Sequence, residues 1–361
     1  MTTRAIVLVG GRGTRLQPLT DTRPKPMLPI VDVPFLAHQL AWLKSHGITS
    51  VTFACGFLPQ AIVGHFGDGS NLGMDLRYVI EPQPLGTGGA IGFAARSGER
   101  ARVIVCNGDV LTDLDIGALT RFHEASGGDA TIALTPVDDP TRYGLVRTNA
   151  QGMVLEFVEK PDASQVDTNL INAGTYVLEP AALDRIPDSG SCSIERDIFP
   201  ALAADEQLFA SGSHAYWNDI GTHASYLAAT DDLLNGRVTG AGVWGTASSR
   251  PPGNVYISPG AQVSKLARID APVHIGDNVV VEDGAVVGPD TVVLAGARIG
   301  VDARLVNAIV LEGARIEPGV LVTRAIVGEG AAITEGCVVT DGAVIAPNSV
   351  VENRTIVHGD W

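Results

Sequence analysis

Residues 273–311 read VHIGDNVVVEDGAVVGPDTVVLAGARIGVDARLVNAIVL, and through this stretch a branched aliphatic residue returns at every sixth place. Extended toward the N-terminus, the series is Ile257, Val263, Ile269, Ile275, Val281, Val287, Val293, Ile299, Leu305 and Leu311, ten in succession. The phase slips by one residue at Ile316 and Val322 and again at Val327, then resumes through Ile333, Val339, Ile345 and Val351. Small or β-branched residues (Ala261, Ala267, Val273, Val279, Ala285, Thr291, Ala297, Ala303) follow four places behind the aliphatic ones. In such a hexapeptide repeat each unit forms a short strand, one wall of a coil, with its aliphatic side chain pointing into the stack. A parallel β-helix is therefore predicted over 255–361.

Upstream, residues 237–254 (RVTGAGVWGTASSRPPGN) are rich in Gly, Ser and Pro without periodicity and read as a linker. Before it, apolar strands and helical patterns alternate: strands over 5–9, 48–54, 76–80, 103–106 and 130–137, helices over 35–45, 59–66, 87–95 and 116–125. That alternation is the signature of βαβ units. A hairpin over 145–158, a strand over 171–178 and helices over 194–203 and 224–234 follow. Residues 1–236 thus read as a Rossmann-like, doubly wound α/β domain on a mixed sheet.

Charge narrows the partners. Formal charge is -15 and the pI is near 4.9, with -5 carried by residues 250–361 and -10 by the rest. Nucleic acid and anionic membrane are excluded as natural partners. No apolar run approaches the ~18 residues of a membrane span, and the apolar segment 5–9 is too short for a signal peptide. Cys55, Cys106, Cys192 and Cys337 are scattered and form no C-x-x-C pair, so a cytoplasmic protein without structural zinc or disulfides is expected. Only Lys25, Lys44, Lys160 and Lys265 are lysines, against 21 arginines. Lys25 and Lys160 each precede a proline, which suggests that a compact ammonium is kept there for a purpose.

The first βα turn, Leu8-Val9-Gly10-Gly11-Arg12-Gly13-Thr14-Arg15-Leu16, is neither a P-loop nor G-x-G-x-x-G. Its glycines still let backbone N–H groups approach phosphates, and its arginines add charge. Taken as a whole, 10–29 (GGRGTRLQPLTDTRPKPMLP) resembles the signature of the sugar-1-phosphate nucleotidyltransferases. The resemblance continues in order through Pro84-Leu85-Gly86-Thr87-Gly88-Gly89, Asn107-Gly108-Asp109, Tyr143-Gly144, Glu159-Lys160-Pro161, Asn172-Ala173-Gly174 and Trp217-Asn218-Asp219. It spans about 3–235, and a hexapeptide tail of the left-handed type is common in that family. Leu-Val-Gly-Gly and Pro-Leu-Gly-Thr-Gly-Gly look most like the mannose-1-phosphate guanylyltransferases, which implies GTP and mannose 1-phosphate. Thymidylyl-, uridylyl- and adenylyltransferases acting on glucose 1-phosphate or a related sugar or cyclitol phosphate are the alternatives.

The implied reaction joins two polyanions: a sugar-phosphate oxygen attacks the α-phosphorus of an NTP and pyrophosphate leaves. The nucleophile is already ionised, so positioning and electrostatics carry the catalysis. By the resemblance, Gly10, Gly11, Gly13, Thr14 and Arg15 hold the nucleotide phosphates, with Asn107 and Asp109 beside them. Lys25 offsets charge on the reacting phosphates, and Gly86, Thr87 and Gly88 face the base. Tyr143, Gly144, Glu159, Lys160, Asn172 and Gly174 form the sugar-phosphate set. Arg15, Lys25, Asp109 and Lys160 are the catalytic candidates, and Asp109 with Asp219 are the expected carboxylates for Mg2+. Two rival readings are a non-catalytic regulatory paralogue, against which the retained charged set speaks, and an acyl-transferring β-helix. The tail shows no histidine-centred site, and His274 reads as a loop residue. Assembly into a homo-oligomer or regulation is the simpler use of the tail.

Overall fold

The computed structural model describes residues 3–239 and 252–359. Contacts divide the chain into two compact units, Met1–Arg12 with Gln39–Trp217, and Gly13–His38 with Asn218–Trp361. The signature segment 13–38 is thus grouped with the coiled tail, a grouping that the expected boundary at 236 does not contain. Most of the expected linker, 240–251, lies outside the described residues.

Nine strands make the sheet of the first unit: β1 Arg4–Val9, β2 Ser50–Cys55, β3 Asp75–Ile80, β4 Val103–Asn107, β5 Ala130–Pro136, β6 Gly144–Thr148, β7 Val154–Glu159, β8 Leu170–Leu178 and β9 Leu208–Gly212. The order β7-β6-β8-β4-β1-β2-β3 has β5 paired to β8 and β9 to β5. β3, β2, β1 and β4 are mutually parallel, as the alternating pattern predicts. β5 does not extend that parallel set directly, because the nine-residue β8 lies between β4 and β5, antiparallel to both. The hairpin β6-β7 forms as expected. Near-continuous apolar runs in β1 and β4 reflect burial on both faces. Ile6, Ile91, Val105, Ile132, Tyr176 and Phe199 meet in one core. The helix expected over 194–203 is a π-helical turn Ile194–Ile198 followed by an α-helix Phe199–Ala204.

In the second unit, residues 255–358 wind a parallel β-helix with three strand rows. One row stacks Ile257, Ile275, Val293, Val310, Val327 and Ile345. The others stack Val263, Val281, Ile299, Ile316, Ile333 and Val351, and Ile269, Val287, Leu305, Val322, Val339 and Val357. From Ile275 through Ile345 these aliphatic side chains are buried, each worth ~1.5–3 kcal/mol against exposure. The phase slip falls one repeat earlier than the spacing suggests. Val310, not Leu311, occupies the stack, because Asn307 takes a left-handed conformation (φ 48°) inside Arg304–Val310 and shortens the step to five. Arg324 (φ 46°) does the same between Val322 and Val327.

Candidate active site

Four parallel strands end on the same edge of the first unit's sheet, and a cleft of about 680 Å³ opens there. This is where an open α/β sheet binds ligands, outside the carboxyl ends of its strands. β1 delivers Gly10 and Gly11, β2 Gly56 and Phe57, β3 Glu81, and β4 Asn107 and Asp109, all lining the cleft. The backbones crowd here: a Cβ at Gly56 would stand 2.7 Å from the Gly10 carbonyl oxygen, so β1 and β2 can close up only without side chains at their tips. Gly11 faces open space. Arg12 projects over the Phe57 ring, 5.7 Å from its centroid. Asp109 is held at the floor because the Gly108 N–H donates to the Leu8 carbonyl (2.9 Å) and Gln39 Nε2 donates to the Asn107 carbonyl (2.8 Å).

Of the expected base-side residues, Gly86 and Thr87 line the cleft and Gly88 does not. A side chain on Gly88 would meet Cys192 Sγ and the Ile194 nitrogen at 3.0 Å, so its bareness admits the 190–194 segment. Thr87 Oγ1 donates to Glu195 Oε2 (2.5 Å) and accepts the Ile194 N–H (3.0 Å). Two residues escaped the sequence reading, Glu195 and Glu81. Glu195 sits on an apparently ordinary helical turn. Glu81 had a usable signal, an acid directly after a strand, as at Asp109.

The sugar-phosphate set gathers at the other strands. Gly144 and Glu159 pair across the β6-β7 hairpin. Lys160 leaves β7 in a left-handed conformation (φ 51°), its N–H donating to the Tyr143 carbonyl at 3.0 Å, so the exposed ammonium springs from a fixed base. Tyr143 packs edge-on against Trp217 (5.3 Å), whose Nε1 donates to the Ala173 carbonyl (2.9 Å). Asn172 Oδ1 accepts the Gly174 N–H (2.9 Å) and its Nδ2 donates to the Tyr176 hydroxyl (2.9 Å). A Cβ at Gly174 would lie 2.6 Å from Asn107 Nδ2, which ties this set to the end of β4. Burial, then the nearby Glu195 charge, raise the Glu159 carboxyl above its ordinary range, while Lys160 and Arg196 oppose that shift.

In the second unit, Thr14 and Arg15 are exposed on a single turn, Thr14–Leu16. Gly13 (φ 64°) packs against Lys25 and Thr20, and Thr20 Oγ1 donates to its carbonyl (2.8 Å). Lys25 is 9% exposed, and its Nζ lies 3.6 Å from Asp219 Oδ1. The guanidinium of Arg15 and the carboxylate of Asp219 both abut Gly221, where a side chain would stand 2.8 Å and 3.1 Å from them. Arg15, Lys25 and Asp219 are thus one cluster. His274 is not a loop residue: it lies in the strand Val273–Ile275, stacked on Tyr256 (centroids 4.6 Å apart), with Nε2 3.3 Å from Asp32. Burial lowers its pKa to about 4, so at neutral pH this contact is not an ion pair.

Metal chemistry has a donor set of the right kind. Among the described residues no three His, Cys, Asp or Glu side chains form a metal cage. A half-buried carboxylate on the cleft, Asp109, fits instead a hard divalent ion that takes its remaining ligands from phosphate oxygens and water. No helix among the described residues is long and apolar enough to cross a membrane.

The fold and cleft define an open α/β protein with a ligand-sized cleft at the ends of its parallel strands. Residues 4–236 match the nucleotidyl transferase family and residues 279–361 the GMPPB C-terminal domain. A mannose-1-phosphate guanylyltransferase of Mycobacterium tuberculosis is 38% identical over 307 residues, covering 84% of this chain and 79% of the relative. A probable mannose-1-phosphate guanylyltransferase 3 of Oryza sativa subsp. japonica is 36% identical, covering 85% of each. Among solved structures, HddC of Yersinia pseudotuberculosis complexed with GMP-PN is 30% identical with a TM-score of 0.54, over 64% of this chain and 99% of that one. The chain belongs to the nucleotidyl transferase family and, within it, to the mannose-1-phosphate guanylyltransferases. It is a nucleotidyltransferase, in a family that generally uses a divalent metal.

Proposed function

We propose that this protein transfers the guanylyl group of GTP to mannose 1-phosphate. A phosphate oxygen of the sugar phosphate bonds to the α-phosphorus, the bond between that phosphorus and the bridging oxygen breaks, and pyrophosphate leaves. The observation that carries the reading is the cleft at the ends of four parallel strands, lined by Gly10, Gly11 and Asp109. Backbone N–H groups of Gly10, Gly11 and Gly13, with Thr14 and Arg15, bind the triphosphate, and Lys25 offsets the charge that grows as pyrophosphate departs. Lys160 receives the sugar phosphate, and Glu159, Asn172 and the Tyr143–Gly144 and Gly174 backbone orient the sugar. Mg2+ would supply charge neutralisation at the phosphates, with Asp109 and Asp219 the proposed carboxylates.

The protein is further proposed to work in the cytoplasm, consistent with four free, buried cysteines, and as a homo-oligomer. Pyrophosphate release measured with GTP, ATP, UTP, CTP and dTTP, each against mannose, glucose and N-acetylglucosamine 1-phosphates, tests the assignment. A best pair other than GTP and mannose 1-phosphate would replace it.

A further inference from the structure

A small hairpin follows Lys25 in the second unit. Pro29–Ile30 pairs antiparallel with Val33–Pro34, and the two-residue turn between them holds Val31 at φ 61°, left-handed backbone that a β-branched side chain strongly resists. Such strain persists only where the surroundings over-determine it. The helix His223–Leu234 fixes the base of the hairpin, where the Tyr226 hydroxyl donates to the Pro29 carbonyl. At the tip the strained turn delivers Asp32 to the coil strand Val273–Ile275, with Oδ2 3.3 Å from His274 Nε2.

From that tip a run of short bonds leads back to Lys25. The Phe35 N–H donates to the Leu28 carbonyl (2.9 Å), His38 Nε2 lies 3.0 Å from the Ile30 carbonyl, and the Leu28 N–H donates to the Lys25 carbonyl (3.1 Å). Residues 24–31 are all buried, so a shift at the tip meets close-packed chain all the way to the ammonium. The coil side is equally fixed. His274 is 1% exposed and its ring stacks on Tyr256. Among the described residues neither of its ring nitrogens, nor Asp32 Oδ1, has a hydrogen-bond partner, so imidazole and carboxylate answer only each other. A buried polar contact of that kind contributes little net stability, because the water its groups gave up offsets the attraction, and its best-attested use is to fix a register. We propose that Asp32 and His274 are positioning residues that seat Lys25 for the reaction, the coil acting through the hairpin. The proposal rests on the role given to Lys25 above and adds what holds Lys25 in place.

The test uses the full chain and pyrophosphate release from GTP and mannose 1-phosphate. His274→Phe keeps a flat ring on Tyr256 and removes only the nitrogens. It should lower kcat about ten- to a hundredfold while KM for GTP stays within about twofold, because Lys25 meets charge that grows only as pyrophosphate leaves. His274→Gln, whose amide nitrogen can stand near the Nε2 position, should recover most of that loss. In a Lys25→Ala background His274→Phe should cost less than about twofold more, since the group it positions is gone. Asp32→Asn changes one atom at a half-buried site and carries the same comparison if the phenylalanine variant folds poorly. A folded His274→Phe protein with kcat within about twofold of wild type overturns the proposal, and so does the same loss factor in both backgrounds, the mark of independent sites. Normal turnover by Lys25→Ala removes the reading of Lys25 itself, an outcome distinct from an impaired Lys25→Ala enzyme that His274→Phe impairs further.

Discussion

The two compact units carry charge in opposite ways. In the first, Glu81, Asp109 and Lys160 stand at strand ends, Glu81 and Asp109 on an open cleft whose neighbours have shed their side chains, and Lys160 is exposed. In the second, several charged groups are drawn inward: Lys25 is 9% exposed against Asp219, His274 is 1% exposed beside Asp32, and Asp231 is half-buried under Asn307. An exposed group remains hydrated until a substrate arrives and can respond to it. A buried one has already lost its water, so it persists only when paired, as Lys25 is, or neutral, as His274 is. The first unit therefore presents charges that an incoming group can meet, and the second holds several at fixed positions.

Removing residues 252–361 should have the largest effect. The segment Gly13–His38, which bears Arg15 and Lys25, belongs to the same unit as the coils. Arg23 reaches Glu312 (3.3 Å) and Glu329 (2.7 Å), and Asp32 lies 3.3 Å from His274 Nε2. The truncated chain is expected to bind GTP, since the cleft lies wholly in the first unit, yet to release no pyrophosphate. Equilibrium dialysis beside the turnover assay reads both, and normal turnover would show that the segment needs no coil to hold it.

Next come Asp109→Asn and Asp219→Asn, each expected to lower kcat by ~10²–10³, the loss typical of one preorganised charge-stabilising group. Asp109→Asn retains shape and should leave the melting temperature unchanged, whereas Asp219→Asn removes the charge that faces buried Lys25 and should lower it as well. Near-normal rates would remove that carboxylate from the reaction. Lysine replacements sharpen the contrast between units. Lys25→Arg must fit a planar fork into a buried slot beside Asp219 and should lose more kcat than Lys160→Arg, whose side chain is exposed. Equal losses would mean that burial is irrelevant to the choice of lysine.

Legibility differed between the units for a physical reason. In the coil each residue's environment repeats every turn, so a list of aliphatic positions predicts the strand rows. It failed only at Leu311, where left-handed Asn307 shortens the step to Val310; the slip at Val327, beside left-handed Arg324, falls where the spacing puts it. The sheet order was legible only over its parallel half, because placing β8 between β4 and β5 depends on pairing between residues far apart in sequence. Asp109 stands in a motif, whereas Glu81 and Glu195 stand in none, and what surrounds them is set by folding. Gly88 abuts the 190–194 segment, and in sequence a glycine beside a chain segment reads like one beside a ligand.

The smallest effect tests burial of charge directly. Asp231, on the helix His223–Leu234, accepts from Asn307 Nδ2 (2.6 Å), and burial pushes its carboxyl up to about 7, with Asp290 and Asp232 adding to the shift and Arg237 opposing it. Between its unfolded value of ~3.9 and that folded value, the folded protein holds a proton that the unfolded chain has released, so stability falls as pH rises through this window and levels off above it. Asp32, raised to about 6, has the same sign. His274, lowered to about 4, has the opposite sign, because the unfolded chain is the one that binds the proton up to its ordinary pKa of ~6.5. From pH 4 to 6 those two oppose each other, leaving Asp231 as the uncompensated slope. Asp231→Asn keeps an oxygen for Asn307 and removes the titration, so it should raise Tm by about 2–4 °C at pH 8 and converge on the wild type near pH 4. Thermal melts of both proteins across that range decide it: an equal gap at both ends would locate the effect in packing, and no gap at pH 8 would mean that the buried carboxylate is not a burden on the coil unit.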